Sequence, residues 1–251
     1  MEPHEASLPL FDEEAARPPA DRLRPTRLDN VVGQDHLLAP DAPLGRMVAR
    51  QRLSSAILWG PPGAGKTTIA RLLADGGDLL FEPVSATFSG VADLRKVFAA
   101  ARSRRGIGQG TLLFVDEIHR FNRAQQDSFL PYVEDGTITL IGATTENPSF
   151  ELNGALLSRT HVLVLKRLDE AALATLLDRA EQLTGHRLPL DGDARRALIA
   201  MADGDGRYLL NMAEQLQTLP DTETPLEPPR SPVTSSNAHR CPTRRRKATT
   251  T

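Results

Sequence analysis

The eight residues GPPGAGKT, 60 to 67, constrain this chain more than any other stretch. They fit G-x-x-x-x-G-K-[ST]. An apolar run, AILWG (56–60), precedes them and a helical pattern, KTTIARLLA (66–74), follows. Strand, glycine-rich turn and helix in that order build a loop whose backbone N–H groups point inward at phosphate oxygens. Gly60, Gly63 and Gly65 let the backbone curl, with Pro61, Pro62 and Ala64 between them. Lys66 is placed to reach the β and γ phosphates, and the Thr67 hydroxyl to hold Mg²⁺. Thr68 stands in the same first turn, where the helix N-terminus adds positive potential. The ligand expected is a nucleoside triphosphate with magnesium.

A second stretch, TLLFVDEIHR (111–120), runs an apolar strand straight into two acids, Asp116 and Glu117. Adjacent carboxylates at the end of a buried strand need a compensating positive charge. Magnesium supplies it: Asp116 is expected to hold the ion, and Glu117 to orient and polarise an attacking water. Strand ends at the carboxyl edge of a parallel sheet are where ligands bind.

The rest of the chain fits one architecture. Residues 1–20 are acidic and Pro-rich with little periodicity, which predicts a disordered arm. After a short lead-in, strands at 79–86, 111–117, 138–145 and 161–167 alternate with helical patterns at 90–104 and, mostly helical, 123–136. That alternation predicts an α/β core over 21–167, a parallel sheet covered by helices on both faces. From 168 to 219 only helical periodicity remains, which predicts a small all-α lid. Its first helix places Leu173, Leu176, Leu177, Ala180 and Leu183 on one face, with Asp169 as N-cap and Gly185 as its end. Residues 220–251 lose all periodicity and turn basic, which predicts disorder.

Several polar residues stand at informative places. Thr144 and Thr145 end an apolar strand, where a hydroxyl can touch a γ-phosphate. Arg159 precedes the strand HVLVL and could act on a neighbour's phosphate as an arginine finger. Arg207 begins a helix after two glycines, at the positive end of the helix dipole, which a bound phosphate would justify. His119 reads as a satisfied turn or core residue, Trp59 as core and Asp127 as solvated. No Asn-Lys-x-Asp guanine motif is present, which favours ATP over GTP.

Together these residues resemble the AAA+ ATPases of the clamp-loader clade. GPPGAGKT and DEIHR match its Walker A and B motifs, GATT its sensor 1 at Thr145, LLSR its arginine finger at Arg159, and GDGR its sensor 2 at Arg207. LDNVVGQDHLL (28–38), with Val32, resembles the segment that packs beside adenine. More closely, RPTRLDNVVGQDHLL, DEIHRFNRAQQDSFLPYVEDG and GATTENPSFELNGALLSR resemble the replication-associated recombination protein A family, over residues 21 to about 219. The resemblance implies a DNA-stimulated ATPase at stalled or gapped forks. It also implies single-stranded-DNA-binding protein and the replisome as partners, and a homotetramer built by a C-terminal helical region.

The sequence departs from that pattern after Leu219, where a Pro-, Thr- and Arg-rich tail replaces the helical region. A shift of reading frame there is expected, with 220–251 out of frame and the oligomer impaired. Resequencing the gene across that codon tests this. SLPLF, Ser7 to Phe11, resembles a sliding-clamp-binding peptide without its leading Gln. Two other functions compete. One is a non-hydrolysing nucleotide-dependent adaptor for DNA or the replisome, or an inactive product. The other is a junction-migrating motor like RuvB, which requires a winged-helix domain that the tail cannot build.

Composition narrows the remaining classes. The one cysteine, Cys241, excludes an intrachain disulfide or zinc cluster. No apolar run reaches membrane-span length, and the N-terminus lacks a signal-peptide profile, so a cytoplasmic, nucleoid-associated protein is expected. No aromatic platform for stacked bases stands out. DNA contact is therefore expected on the backbone, single-stranded, gapped or forked, without sequence preference.

Overall fold

The computed structural model describes residues 23–217. The expected N-terminal arm, the clamp-binding peptide Ser7–Phe11, the frame shift near Leu219 and the basic tail lie outside the described residues.

The chain enters through a 3-10 turn, Leu28–Asn30, and two short helices, α1 (Asp35–Leu38) and α2 (Pro43–Ala49). Strand β1 (Ala56–Trp59) leads through the glycine loop into α3 (Lys66–Gly76). Then follow β2 (Leu79–Ser85), α4 (Val91–Gly106), β3 (Gly110–Asp116), a 3-10 turn (Ile118–Arg120), α5 (Arg123–Asp127) and α6 (Leu130–Glu134). Strand β4 (Thr139–Thr144), α7 (Pro148–Glu151), α8 (Gly154–Leu157) and β5 (His161–Val164) complete the sheet region. Three helices close the described chain: α9 (Glu170–Thr184), α10 (Gly192–Ala202) and α11 (Gly206–Gln217).

All five strands are parallel, in the order β2-β3-β4-β1-β5. The alternation along each strand decides which face each residue serves. Ala56, Leu58, Leu112, Phe114, Ile141 and Ala143 pack with Ile69, Ala70 and Leu73 of α3 on one face. Ile57, Leu113, Val115 and Leu140 pack with Leu94 and Phe98 of α4 and with Phe129 on the other. Both faces are covered, so the middle strands read as unbroken apolar runs.

The helical pattern expected through 123–136 is two short helices instead. Asn122 and Gln125 form a reciprocal cap on α5: each side chain accepts from the other's backbone N–H, at 2.9 and 3.0 Å. Pro131 lacks an N–H and cannot continue α5, but it fits the first turn of α6. The break lets Phe129 turn fully inward, where its ring meets Phe98 edge-on at 5.6 Å. Asp127 is also not merely solvated; it accepts a 2.6 Å hydrogen bond from the Asn153 side chain.

The three last helices share a separate core of Leu173, Leu177, Leu198 and Leu209. Each is capped by an aspartate. Asp169 accepts from Ala172 N at 2.8 Å, Asp191 from Ala194 N at 2.6 Å, and Asp205 from Tyr208 N at 2.9 Å. Such a cap contributes about 1 kcal/mol over alanine. Gly185, at φ 72°, ends α9 as its position predicts. Leu183 does not join the buried face; it is 44% exposed in the last turn of α9.

Candidate nucleotide site

One cleft gathers the lead-in segment, the glycine loop, two strand ends and the three-helix bundle. Its walls include Asn30, Val31 and Val32, Pro62 through Thr68, Asp116, Glu117, Thr145, Leu168, Leu176, Asp205, Gly206, Arg207 and Leu210. Most of the residues expected from sequence therefore meet here, drawn from segments far apart in the chain.

The glycine loop adopts the conformation its composition allows. Gly63 and Gly65 take left-handed backbone angles, φ 66° and 95°. A side chain at Gly65 would meet nothing within 4 Å, so that position is fixed by backbone angle alone. At Gly63 a Cβ would also collide with Asp205 and the Gly206 nitrogen, because the start of α11 rests on the loop.

Gly60 and Pro61 do not face the cleft. Gly60 is buried against the residue that follows β5, where a Cβ would lie 2.6 Å from the Leu165 carbonyl oxygen. Its nitrogen donates to Thr144 O at 3.1 Å. The two residues instead hold the lysine. Lys66 Nζ donates to Gly60 O at 2.7 Å and to Pro61 O at 2.8 Å. Burial lowers the Lys66 pKa, opposed by Glu117 and Asp116. A desolvated ammonium held by carbonyls and aimed among carboxylates is one that an anion can recruit.

Sequence reasoning missed Gln34. It is fully buried, and its amide makes three contacts. Nε2 donates to Lys166 O at 2.8 Å and to Ala64 O at 3.4 Å, and Oε1 accepts from Lys166 N at 3.1 Å. One side chain thus joins the lead-in segment, the glycine loop and the chain leaving β5. Beside Asp35 and His36 it reads as one more polar residue, and its partners are distant in sequence.

The strand expected to run from 161 to 167 ends at Val164 for the same reason: Lys166 is engaged by Gln34 rather than by a neighbouring strand. Arg167 then donates to Asp203 O at 2.8 Å and pairs with the Asp203 carboxylate, tying this exit to the end of α10. Arg179 of α9 reaches back to Asn30 O at 2.5 Å. Asp205 was also missed; it caps α11 and faces the glycine loop.

At the strand ends, Thr145 lines the cleft while Thr144 is fully buried beside it. Glu117 takes a left-handed backbone conformation, φ 53°, a region usually left to glycine. Such a conformation persists where surrounding structure enforces it, and it turns the carboxylate toward the cleft. Trp59 is half-buried rather than fully core. Arg207 makes no side-chain hydrogen bond or ion pair among the described residues, and its charge is felt at Lys66.

Arg159 is elsewhere. Its Nε donates to Glu134 at 2.5 Å, and its Nη1 to Ala155 O at 2.9 Å and Ser158 Oγ at 3.0 Å. It does not line the cleft of its own chain.

The family model for AAA, the ATPase family associated with various cellular activities, matches residues 56–168. Replication-associated recombination protein A of Coxiella burnetii is 52% identical over 202 residues, covering 78% of this chain and 46% of that protein. The Escherichia coli K12 protein of the same name is 45% identical over 218 residues, covering 85% and 49%. The chain thus carries an AAA domain and is similar to replication-associated recombination protein A over about four fifths of its length. It spans about half the length of the curated relatives it matches.

The solved structure of the Thermotoga maritima RuvB Holliday junction branch migration motor superposes on this chain with a TM-score of 0.63 at 27% identity. That likeness covers 78% of this chain and 65% of that one. The α/β architecture expected from the sequence is the one found. Among the described residues, no helix is long and apolar enough to cross a membrane.

Proposed function

We propose that this chain binds ATP with Mg²⁺ and hydrolyses it to ADP and phosphate, as the motor of a protein that remodels DNA or replisome complexes at stalled or gapped forks. The carrying observation is the convergence of Lys66, Asp116, Glu117, Thr145 and Arg207 on one cleft beneath the glycine loop. We read 21–167 as the ATPase core and 168–219 as its lid.

The donor set suits magnesium. Thr67 and Asp116 offer hard oxygens. No cluster of three or more acidic, His or Cys ligands exists among the described residues. Magnesium is commonly held by one or two side chains plus substrate phosphates and water. Thr67 and Asp116 would hold it, and bound there it would neutralise charge on the phosphates.

The remaining steps belong to the chain's own residues. Backbone N–H groups of residues 63–68 cradle the phosphates, and Lys66 leaves its carbonyl partners for the β and γ oxygens. Val32, Leu176 and Leu210 offer apolar contact to the base. Glu117 orients the attacking water and accepts its proton. Thr145 and Arg207 read the γ-phosphate from strand end and lid. Arg159 serves the site of a neighbouring copy.

DNA without sequence preference, single-stranded-DNA-binding protein, the sliding clamp and a homo-oligomer are the partners this reading implies. Support comes from the similarity to replication-associated recombination protein A. The 52% identity on that side against 27% to RuvB favours this reading over a junction motor.

The test is ATP turnover by the purified chain with and without gapped or forked DNA, beside Glu117→Gln, over a protein concentration series. Turnover that rises with DNA, grows faster than protein concentration and vanishes in Glu117→Gln is expected. ATP binding with turnover no better than Glu117→Gln would instead favour a non-hydrolysing adaptor.

A further inference from the structure

Glu117 does not stand alone at the end of β3. His119 Nδ1 lies 3.3 Å from Glu117 Oε2 and 3.0 Å from Thr144 Oγ1. The imidazole is only 13% exposed, on the 3-10 turn that follows the acids. Thr144, at the end of β4, can donate its hydroxyl to Glu146 O at 3.2 Å and accepts from Glu146 N at 3.0 Å. Three side chains from two neighbouring strand ends therefore lie in polar contact, with His119 in the middle.

The arrangement decides where the imidazole proton sits. The one proton of the Thr144 hydroxyl can go to Glu146 O, leaving Oγ1 to accept from His119 Nδ1, or to Nδ1 itself, so this hydroxyl suits either tautomer. Glu117 Oε2 is an acceptor only, close to the same nitrogen. The carboxylate is therefore the neighbour that selects a proton on Nδ1.

We propose that His119 is a positioning residue for Glu117. Its Nδ1–H fixes the carboxylate's orientation and couples it, through Thr144, to the end of β4, whose next residue, Thr145, lines the cleft. The role follows from the left-handed backbone at Glu117 as well. That conformation sets where the side chain starts, but its remaining torsions are free unless something holds the carboxylate. His119 is the side chain that holds it. A displacement of Thr145 by a γ-phosphate would thereby be transmitted to Glu117.

This inference rests on the ATPase reading for its kinetic consequence, and on geometry alone for its proton. The test uses both, on the full chain. In nucleotide-free protein, ¹⁵N NMR of the imidazoles, with His119 assigned by its loss in His119→Asn, is expected to show the proton on Nδ1. In Glu117→Gln the His119 signal is expected to shift toward the other tautomer. A proton on Nε2, or a signal indifferent to Glu117→Gln, overturns the proposal whether or not the chain hydrolyses ATP.

In turnover assays, His119→Ala is expected to lower kcat on the order of ten-fold with KM changed less than about two-fold. His119→Asn, whose amide N–H falls near the Nδ1 position, is expected to recover part of that loss. Unchanged kcat in His119→Ala, or equal loss in both variants at equal thermal stability, overturns it. Absence of turnover in the unaltered chain refutes the ATPase reading instead, and the NMR result still decides the role of His119.

Discussion

Gln34 and Lys166 exchange two hydrogen bonds, amide to backbone, at 2.8 and 3.1 Å, and the same amide reaches the Ala64 carbonyl of the glycine loop. Replacing Gln34 by Leu keeps the volume near and strands one buried and two part-buried backbone groups. An unsatisfied buried group costs about 1–3 kcal/mol. Gln34→Leu is expected to lose about 2–4 kcal/mol in urea denaturation. It should also weaken ATP binding, because the loop loses its anchor. Gln34→Glu keeps an acceptor for Lys166 N and should fall between the two.

Lys66 carries a pH signature. Burial lowers its pKa in the folded chain below the ordinary 10.5, so the unfolded chain binds its proton more tightly. Stability therefore rises with pH through the interval between the lowered value and 10.5. Lys66→Met removes that dependence. The stability of Lys66→Met relative to the unaltered chain is expected to decline as the pH climbs through that interval. Urea midpoints measured over a pH series check this, and parallel curves would contradict it.

Asp205 faces the loop that is to hold phosphates, yet it caps α11. Asp205→Asn keeps an acceptor oxygen for Tyr208 N and removes the charge. ATP affinity is expected to rise roughly three- to ten-fold, from one less like-charge interaction near the surface. Asp205→Ala also loses the cap, about 1 kcal/mol of stability. Calorimetric titration separates the two effects.

Arg207 has no side-chain partner to lose among the described residues, so Arg207→Ala should leave stability nearly unchanged. The Kd for ATP is expected to rise roughly ten-fold, as for one charge-assisted hydrogen bond, and that for ADP much less. Equal weakening of both nucleotides would place the arginine away from the γ-phosphate.

Arg159 is held by Glu134, outside its own chain's cleft. Arg159→Ala is expected to bind ATP normally and to lose turnover on the order of 10³-fold. Mixing it with Glu117→Gln should restore activity, since each copy then supplies what the other lacks. A mixture as inactive as its parts would show that no copy reaches its neighbour's site.

Much of the architecture was legible because it rests on local pattern. The five apolar runs, the glycine loop and the Asp169 cap announce themselves within a few residues. What was hidden depends on partners far along the chain. Gln34 reads as an ordinary polar residue until Lys166 is brought beside it. His119 reads as a turn residue until β4 delivers Thr144. The 123–136 segment looked like one helix because its composition allows helix throughout. Phe129 overrides that, since burying a ring contributes about 1.5–3 kcal/mol and only a break at Pro131 permits it. Thr144 and Thr145 are adjacent and chemically alike, and only the end of β4 between them leaves one inward and the other at the cleft.

The position of β1 has a consequence for synthesis. It lies between β4 and β5, so Ala56 pairs with Ile141 on one side and His161 on the other, with no earlier strand beside it. At about 5–20 residues per second, the ribosome releases this apolar strand several seconds before either neighbour exists. Until then β2 and β3 can pair, but the strand that feeds the glycine loop has exposed edges and nowhere to lie. The nascent chain is thus open to chaperones, and to aggregation, over the segment that its chemistry depends on most.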